Sequence, residues 1–158
     1  MISCKGDRNT VLKNAVFDTY EQILALSEQS PEKRGMATTL IACVVDDSLH
    51  CIVVNVGDSR AHIITRDHVK VSKDHSVVNE LIDSGDIAPE DAWQHPLSNV
   101  MTQAVGDSES VIKPDFYTVN LRNTFILLSS YGLHDDVSRA TYIRIMGAGV
   151  LLTKKRND

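Results

Sequence analysis

Residues 38–65 read Thr38-Thr39-Leu40-Ile41-Ala42-Cys43-Val44-Val45-Asp46-Asp47-Ser48-Leu49-His50-Cys51-Ile52-Val53-Val54-Asn55-Val56-Gly57-Asp58-Ser59-Arg60-Ala61-His62-Ile63-Ile64-Thr65. The unbroken apolar run from Leu40 to Val45 predicts a strand over Met36–Asp46, buried on both faces. Asp46-Asp47-Ser48 supplies turn chemistry, and His50–Val56 returns as a second strand. Gly57-Asp58-Ser59-Arg60 makes a tight corner into a third strand, Ala61–Thr65. The Arg66-Asp67-His68 turn then leads to a fourth, Val69–Val71. The stretch is an antiparallel meander.

The flanks add helices. Val11, Leu12, Ala15, Val16, Tyr20, Ile23 and Leu24 recur at helical spacing over residues 10–29. Asn9 or Thr10 caps the start, and Pro31 blocks continuation. After the meander, Val77, Val78, Leu81 and Ile82 mark a helix that starts at Asp74 or Ser76 and ends at Gly85. Pro89 opens a short helix that ends before Pro96. Asn99–Val105, Asp115–Leu121 and Thr124–Ser129 read as strands, and Asp135–Met146 as a closing helix. The order predicts an α+β domain with an antiparallel sheet core and helices outside it. No repeat or linker divides the chain.

Composition narrows the function classes. The 158 residues suit one domain, and a chain of this size buries roughly 68–70% of its unfolded surface. The formal charge is −5, which disfavours nucleic acid. The one basic run is Lys154-Lys155-Arg156. No apolar stretch approaches the ~18 residues of a membrane span, and the first twenty residues hold no signal-peptide pattern. Three cysteines, Cys4, Cys43 and Cys51, lack metal-ligand spacing. Cys43 and Cys51 flank the hairpin turn and are expected as buried core thiols. Such usage fits a reducing, cytoplasmic setting.

Three segments carry groups suited to chemistry. In the Asn55–Ala61 corner, Asp58 either ligates a hard cation or fastens the turn, and Arg60 is set to pair with a carboxylate. In Leu127-Leu128-Ser129-Ser130-Tyr131-Gly132-Leu133-His134-Asp135-Asp136 an apolar strand runs into paired carboxylates. These suit magnesium or manganese, and equally a helix N-terminus. Lys73-Asp74-His75-Ser76 precedes the helical insert, which ends near His95-Pro96. His50, His62 and His68 read as surface or hydrogen-bonded residues.

Taken in order, these segments resemble the type 2C, metal-dependent (PPM-type) protein serine/threonine phosphatases of bacteria. Gly35-Met36-Ala37-Thr38-Thr39-Leu40 resembles the family's Gly-Met-Gly-Thr-Thr-Leu strand, and Asn55–Ala61 its Asn-x-Gly-Asp-Ser-Arg-Ala corner. Lys73 to Gly106, with Asn79-Glu80-Leu81, His95-Pro96, Asn99-Val100 and Thr102, resembles its flap and the strand after it. Leu127–Asp135 resembles its Leu-Leu-Cys-Ser-Asp-Gly-Leu-x-Asp signature. The resemblance implies a β-sandwich with helices on both outer faces. It also implies two magnesium or manganese ions held by carboxylates, with a bridging water that attacks phosphorus.

Departures from the pattern shape the functional expectation. The family's early Asp-Gly-x-Gly-Gly-His segment and its closing Asp-Asn pair have no counterpart, so the domain is expected to lack N- and C-terminal segments. The signature Asp is Tyr131. Asp58 and Asp135 match positions that hold a weaker additional metal in the family, and they are expected to form at most a residual site. The chain is therefore expected to be one partial domain over residues 1–152, with a flap-like insert at 74–105 and a basic tail at 153–158. Its expected role is a catalytically inactive, regulatory pseudophosphatase. The alternatives are an active phosphatase completed by a partner chain, or a truncated remnant. Unpaired sheet edges suggest a homodimer. The acidic insert, with Trp93 as its apolar anchor, suggests a basic protein partner.

Overall fold

The computed structural model describes residues 7–65, 68–136, 141 and 144. Helix α1 spans Arg8–Gln29. Strands β1 (Leu40–Val45), β2 (His50–Val56), β3 (Arg60–Ile64) and β4 (Val69–Val71) follow. β1–β2 and β3–β4 pair as hairpins, but the Gly57–Arg60 corner carries the chain from one sheet to the other, so the expected four-strand meander does not form. Helix α2 (Val77–Ser84) follows, then a 3₁₀ turn at Pro89–Gln94, strands β5 (Asp115–Asn120) and β6 (Phe125–Ser129), and helix α3 (Tyr131–Asp136). Among the described residues, two antiparallel three-stranded sheets result, ordered β1-β2-β5 and β4-β3-β6.

Alternation along β2 explains the layering. Val54 and Val56 face α1, packing with Val16, Leu12, Phe17, Tyr20 and Ile23. Cys51 and Val53 face the other way, meeting Ala61, Ile63, Ile126, Tyr117 and Val119 between the sheets. Because β2 is covered on both sides, Val53, Val54 and Val56 are fully buried. Each contributes roughly 1.5–3 kcal/mol by leaving water. The Tyr20 hydroxyl donates to the Asp107 carbonyl at 3.0 Å, tying α1 to the loop before β5.

Local chemistry explains the element ends. Ser76 caps α2 by accepting from the Asn79 amide at 3.4 Å. Gly85 closes it at φ +82°, with the Asp86 amide reaching the Leu81 carbonyl at 2.9 Å. At the β1–β2 turn, Asp46 Oδ1 accepts from the Ser48 and His50 amides, each at 2.8 Å.

Several expectations change. Asp7 occupies the N-cap position of α1 without a side-chain bond to the helix amides, and the Thr10 hydroxyl donates to its carboxylate at 3.2 Å. The first strand is only Leu40–Val45, and its outer half is exposed because β1 is a sheet edge among the described residues. Cys43 is accordingly exposed, whereas Cys51 is fully buried. Residues 99–105 form no continuous strand. They make two isolated bridges, Ser76 with Met101 and Thr38 with Val105, since their amides are shared between the insert and the residues before β1. The closing helix starts four residues early, at Tyr131. Most of its expected length and the 153–158 tail with Lys154, Lys155 and Arg156 lie outside the described residues. Within those residues, no helix is long and apolar enough to cross a membrane.

Candidate functional site

The Gly57–Arg60 corner sits at the ends of β2 and β3, and the Lys73–Ser76 segment is bound against it. The His75 amide donates to the Gly57 carbonyl at 3.0 Å, and the Gly57 amide donates to His75 Nδ1 at 3.2 Å. The Asn55 side-chain amide donates to the Lys73 carbonyl at 3.0 Å. Accepting at Nδ1 puts the His75 ring proton on Nε2, which lies 3.4 Å from Asp115 Oδ2. Gly57 adopts φ +100°, and a Cβ there would come within 2.7 Å of Thr39 Cβ. The glycine is therefore needed both for its backbone and for the close approach of Thr39. Thr39 and Ser59 join their hydroxyls at 2.9 Å across the same corner.

Arg60 finds its carboxylate in Asp74. Nε donates to Oδ1 at 2.8 Å, and Nη2 donates to Oδ2 at 2.5 Å. The paired geometry holds the guanidinium in one plane. Asp74 is buried. Nearby, the Tyr117 hydroxyl accepts from the Lys73 amide at 3.1 Å and donates to Asp115 at 3.2 Å. Burial pushes the Tyr117 phenol above its ordinary value, and the negative Asp115 adds to the shift, while the Lys73 amide opposes it.

These elements floor a cleft of about 550 Å³. Asp58, Arg60, Asp74, Ser76, Asn99 and Tyr131 supply its polar lining, and Trp93 and Met101 are apolar members of its wall. Tyr131, the first residue of α3, donates to Asn99 Oδ1 at 3.2 Å. Trp93 stands on the 3₁₀ turn and is 75% exposed. The fold thus brings Asp58, Tyr131 and Trp93 to one cleft. Asp135 lies on α3, and its side chain is outside what the structure describes.

Magnesium or manganese can be tested against these donors. The carboxylates that line the cleft among the described residues are Asp58 and Asp74. Asp74 is already spent on Arg60. Tyr131 contributes a phenol, a poor ligand for a hard cation beside a carboxylate. Among the described residues, no group of three His, Cys, Asp or Glu side chains is placed to hold a metal ion. The described lining does not fit a two-ion centre.

The expected His roles also resolve. His62 is fully buried, with Nε2 at 2.9 Å from the Ser129 hydroxyl. His50 and His68 are exposed, and each sits at a turn with a local partner. Asp74 as the Arg60 partner and Asn99 as the Tyr131 partner were not identifiable as pairs from the chain alone. Fourteen and thirty-two residues separate the members.

The protein phosphatase 2C family model matches residues 3–81, half of the chain. The chain belongs to the protein phosphatase 2C family. It is 32% identical over 148 residues to the serine/threonine phosphatase stp of Listeria innocua, a match that takes in 92% of this chain and 58% of that protein. It superposes on the crystal structure of a serine/threonine phosphatase from Staphylococcus aureus with a TM-score of 0.82 at 32% identity, covering 93% of this chain and 57% of that one. The catalytic domain of PstP, solved in complex with two manganese ions, gives a TM-score of 0.67 at 29% identity over 79% of this chain and 51% of that one. The chain therefore spans a little over half the length of the phosphatase 2C proteins it matches. The resemblance read from the four motifs, and the sandwich it implied, stand.

Proposed function

We propose that this chain is a phosphatase 2C domain that binds a protein partner at its cleft without hydrolysing phosphate by itself. The observation that carries this reading is Tyr131. Its phenol lines the cleft and bonds Asn99 at the point where the family signature has an Asp. Among the described residues, the charge that a divalent ion needs is thereby reduced to Asp58, because Asp74 is neutralised by Arg60. Manganese or magnesium, when held in a phosphatase of this family, would polarise phosphate and supply hydroxide. No step through such an ion is derived from these residues. What they do is structural and recognitive. The Arg60–Asp74 pair and His75 hold the corner rigid, Asp58 presents one negative charge, and Trp93 offers an apolar edge. Cleft and edge together form a surface for polypeptide.

The second reading is an active metal-dependent serine/threonine phosphatase whose remaining ligands come from outside these residues. The names of the relatives and the manganese pair in the PstP structure favour it. Assay of p-nitrophenyl phosphate and a phosphothreonine peptide with manganese separates the two. No turnover is expected. Manganese-dependent turnover that disappears in Asp58→Ala would replace the first reading with the second.

A further inference from the structure

We infer that the lip of the cleft formed by residues 89–101 is a docking site for a Lys/Arg-rich segment of a partner protein. The inference rests on the reading of the cleft as a protein-binding surface and names the chemistry of the partner, and it holds whether or not the cleft turns over phosphate.

Charge is the first argument. From Asp74 to Val105 the chain has six carboxylates, Asp74, Glu80, Asp83, Asp86, Glu90 and Asp91, and no Lys or Arg. Arg60 neutralises Asp74, and Lys73 pairs with Asp83. Glu80, Asp86, Glu90 and Asp91 are exposed and remain uncompensated by an ion pair among the described residues, and Asp58 lines the cleft itself. An insert surface dominated by one sign of charge draws the opposite charge and repels phosphate. It also repels a second copy of this chain, whose own charge is −5.

Apolar exposure is the second argument, and it is independent of charge. Trp93 is 75% exposed, and Leu97, Val100 and Met101, within eight residues of it, are 42%, 43% and 42% exposed. Trp93 shares its 3₁₀ turn with the exposed Glu90 and Asp91, and an exposed indole is a seat for a cation on its face. The aliphatic stem of a Lys or Arg covers the neighbouring apolar atoms while its head meets the acids.

The lip is also held in shape before any partner arrives. The Ser98 amide donates to the His95 carbonyl at 2.9 Å, and the Val100 amide to the Leu97 carbonyl at 3.1 Å. The Val77 amide reaches the Val100 carbonyl at 3.0 Å, fastening the lip to the start of α2. A preformed surface spends little of its binding free energy on ordering.

Trp93 is the only tryptophan, so its emission reports this lip alone. The test titrates the full chain with a capped hexa-arginine peptide, using hexa-glutamate as control. The expected result is a saturable blue shift and protection from acrylamide with hexa-arginine alone, both lost at about 0.5 M salt. Anisotropy of a labelled hexa-arginine peptide then compares variants whose circular dichroism matches wild type. Trp93→Ala and the pair Glu90→Lys with Asp91→Lys should each weaken binding about tenfold, with Trp93→Phe recovering part of the loss. Unchanged affinity in Trp93→Ala would mean attraction by bulk charge and overturn the site. So would saturation without any change in Trp93 emission. No phosphate enters the experiment, so its failure is distinct from failure of the hydrolysis reading.

Discussion

Arg60 and Asp74 face each other in a bidentate ion pair, with Nε at 2.8 Å from Oδ1 and Nη2 at 2.5 Å from Oδ2, across the floor of the cleft. The pair locks the start of β3 to the segment that leads into the insert. Removing Asp74 leaves a guanidinium partly buried without its counter-charge. Asp74→Ala is therefore expected to cost about 2–3 kcal/mol, below the loss for a fully buried pair because Arg60 keeps some solvent. Arg60→Lys should cost less but still measurably, since an ammonium cannot make both bonds. Urea denaturation of the two variants checks the order.

Gly57→Ala should destabilise through two separable effects. The left-handed backbone at φ +100° costs an L-residue about 1–2 kcal/mol. The new methyl also collides with the Thr39 side chain. Thr39→Ser removes the methyl that lies in its way but keeps the Cβ within 2.7 Å, and should recover part of the steric loss and none of the backbone cost. A double-mutant cycle by thermal melting that shows no coupling between the two positions would contradict this geometry.

Acid should weaken the β1–β2 hairpin through Asp46. The His50 amide, with help from Arg8 and the Ser48 amide, holds its carboxyl below the ordinary value of 3.8. A carboxyl depressed in the folded state stabilises the fold above its unfolded value. That contribution disappears as pH falls through the lower folded value. Asp46→Asn, which keeps the acceptor oxygen, should lose less stability than wild type between neutral pH and about pH 3. Equal losses in both would show that Asp46 is not the group being protonated.

The two described cysteines should differ in reactivity. Burial, with the Cys43 thiol adding to it, pushes Cys51 up to about 11. Cys43 is exposed. Iodoacetamide at about pH 8 should label Cys43 and spare Cys51 until the chain unfolds, as read by peptide mass spectrometry.

Tyr131→Asp should place a second unpaired carboxylate in the cleft with Asp58. Manganese binding by calorimetry is expected to tighten at least about tenfold, because charge count and hard oxygen ligands set affinity for such ions. An unchanged isotherm would mean that residues 58 and 131 do not converge on one ion.

What the chain determined by itself is local. The six-residue apolar run of β1, the Asp46 turn, the Ser76 cap and the Gly85 stop each depend on neighbours within a few positions. Their outcome is therefore written in spacing and residue type. The Gly57–Arg60 corner was legible for the same reason, as a polar break between two apolar strands. The starts of α1 and α3 moved by two and four residues, because adjacent polar side chains compete for the first turn and packing chooses between them. Residues 99–105 carried a strand-like composition, yet their amides are divided between two separate bridges that the sequence pattern does not encode. Tertiary structure alone decided which carboxylate Arg60 meets, that Tyr131 finds Asn99, and that Trp93 shares a cleft with Asp58. These pairings join segments tens of residues apart. Their distances follow from how two sheets and an insert pack, and no short-range periodicity records that packing. The exposure of Cys43 has the same origin, since a strand buried on both faces and a strand at a sheet edge can share one apolar sequence.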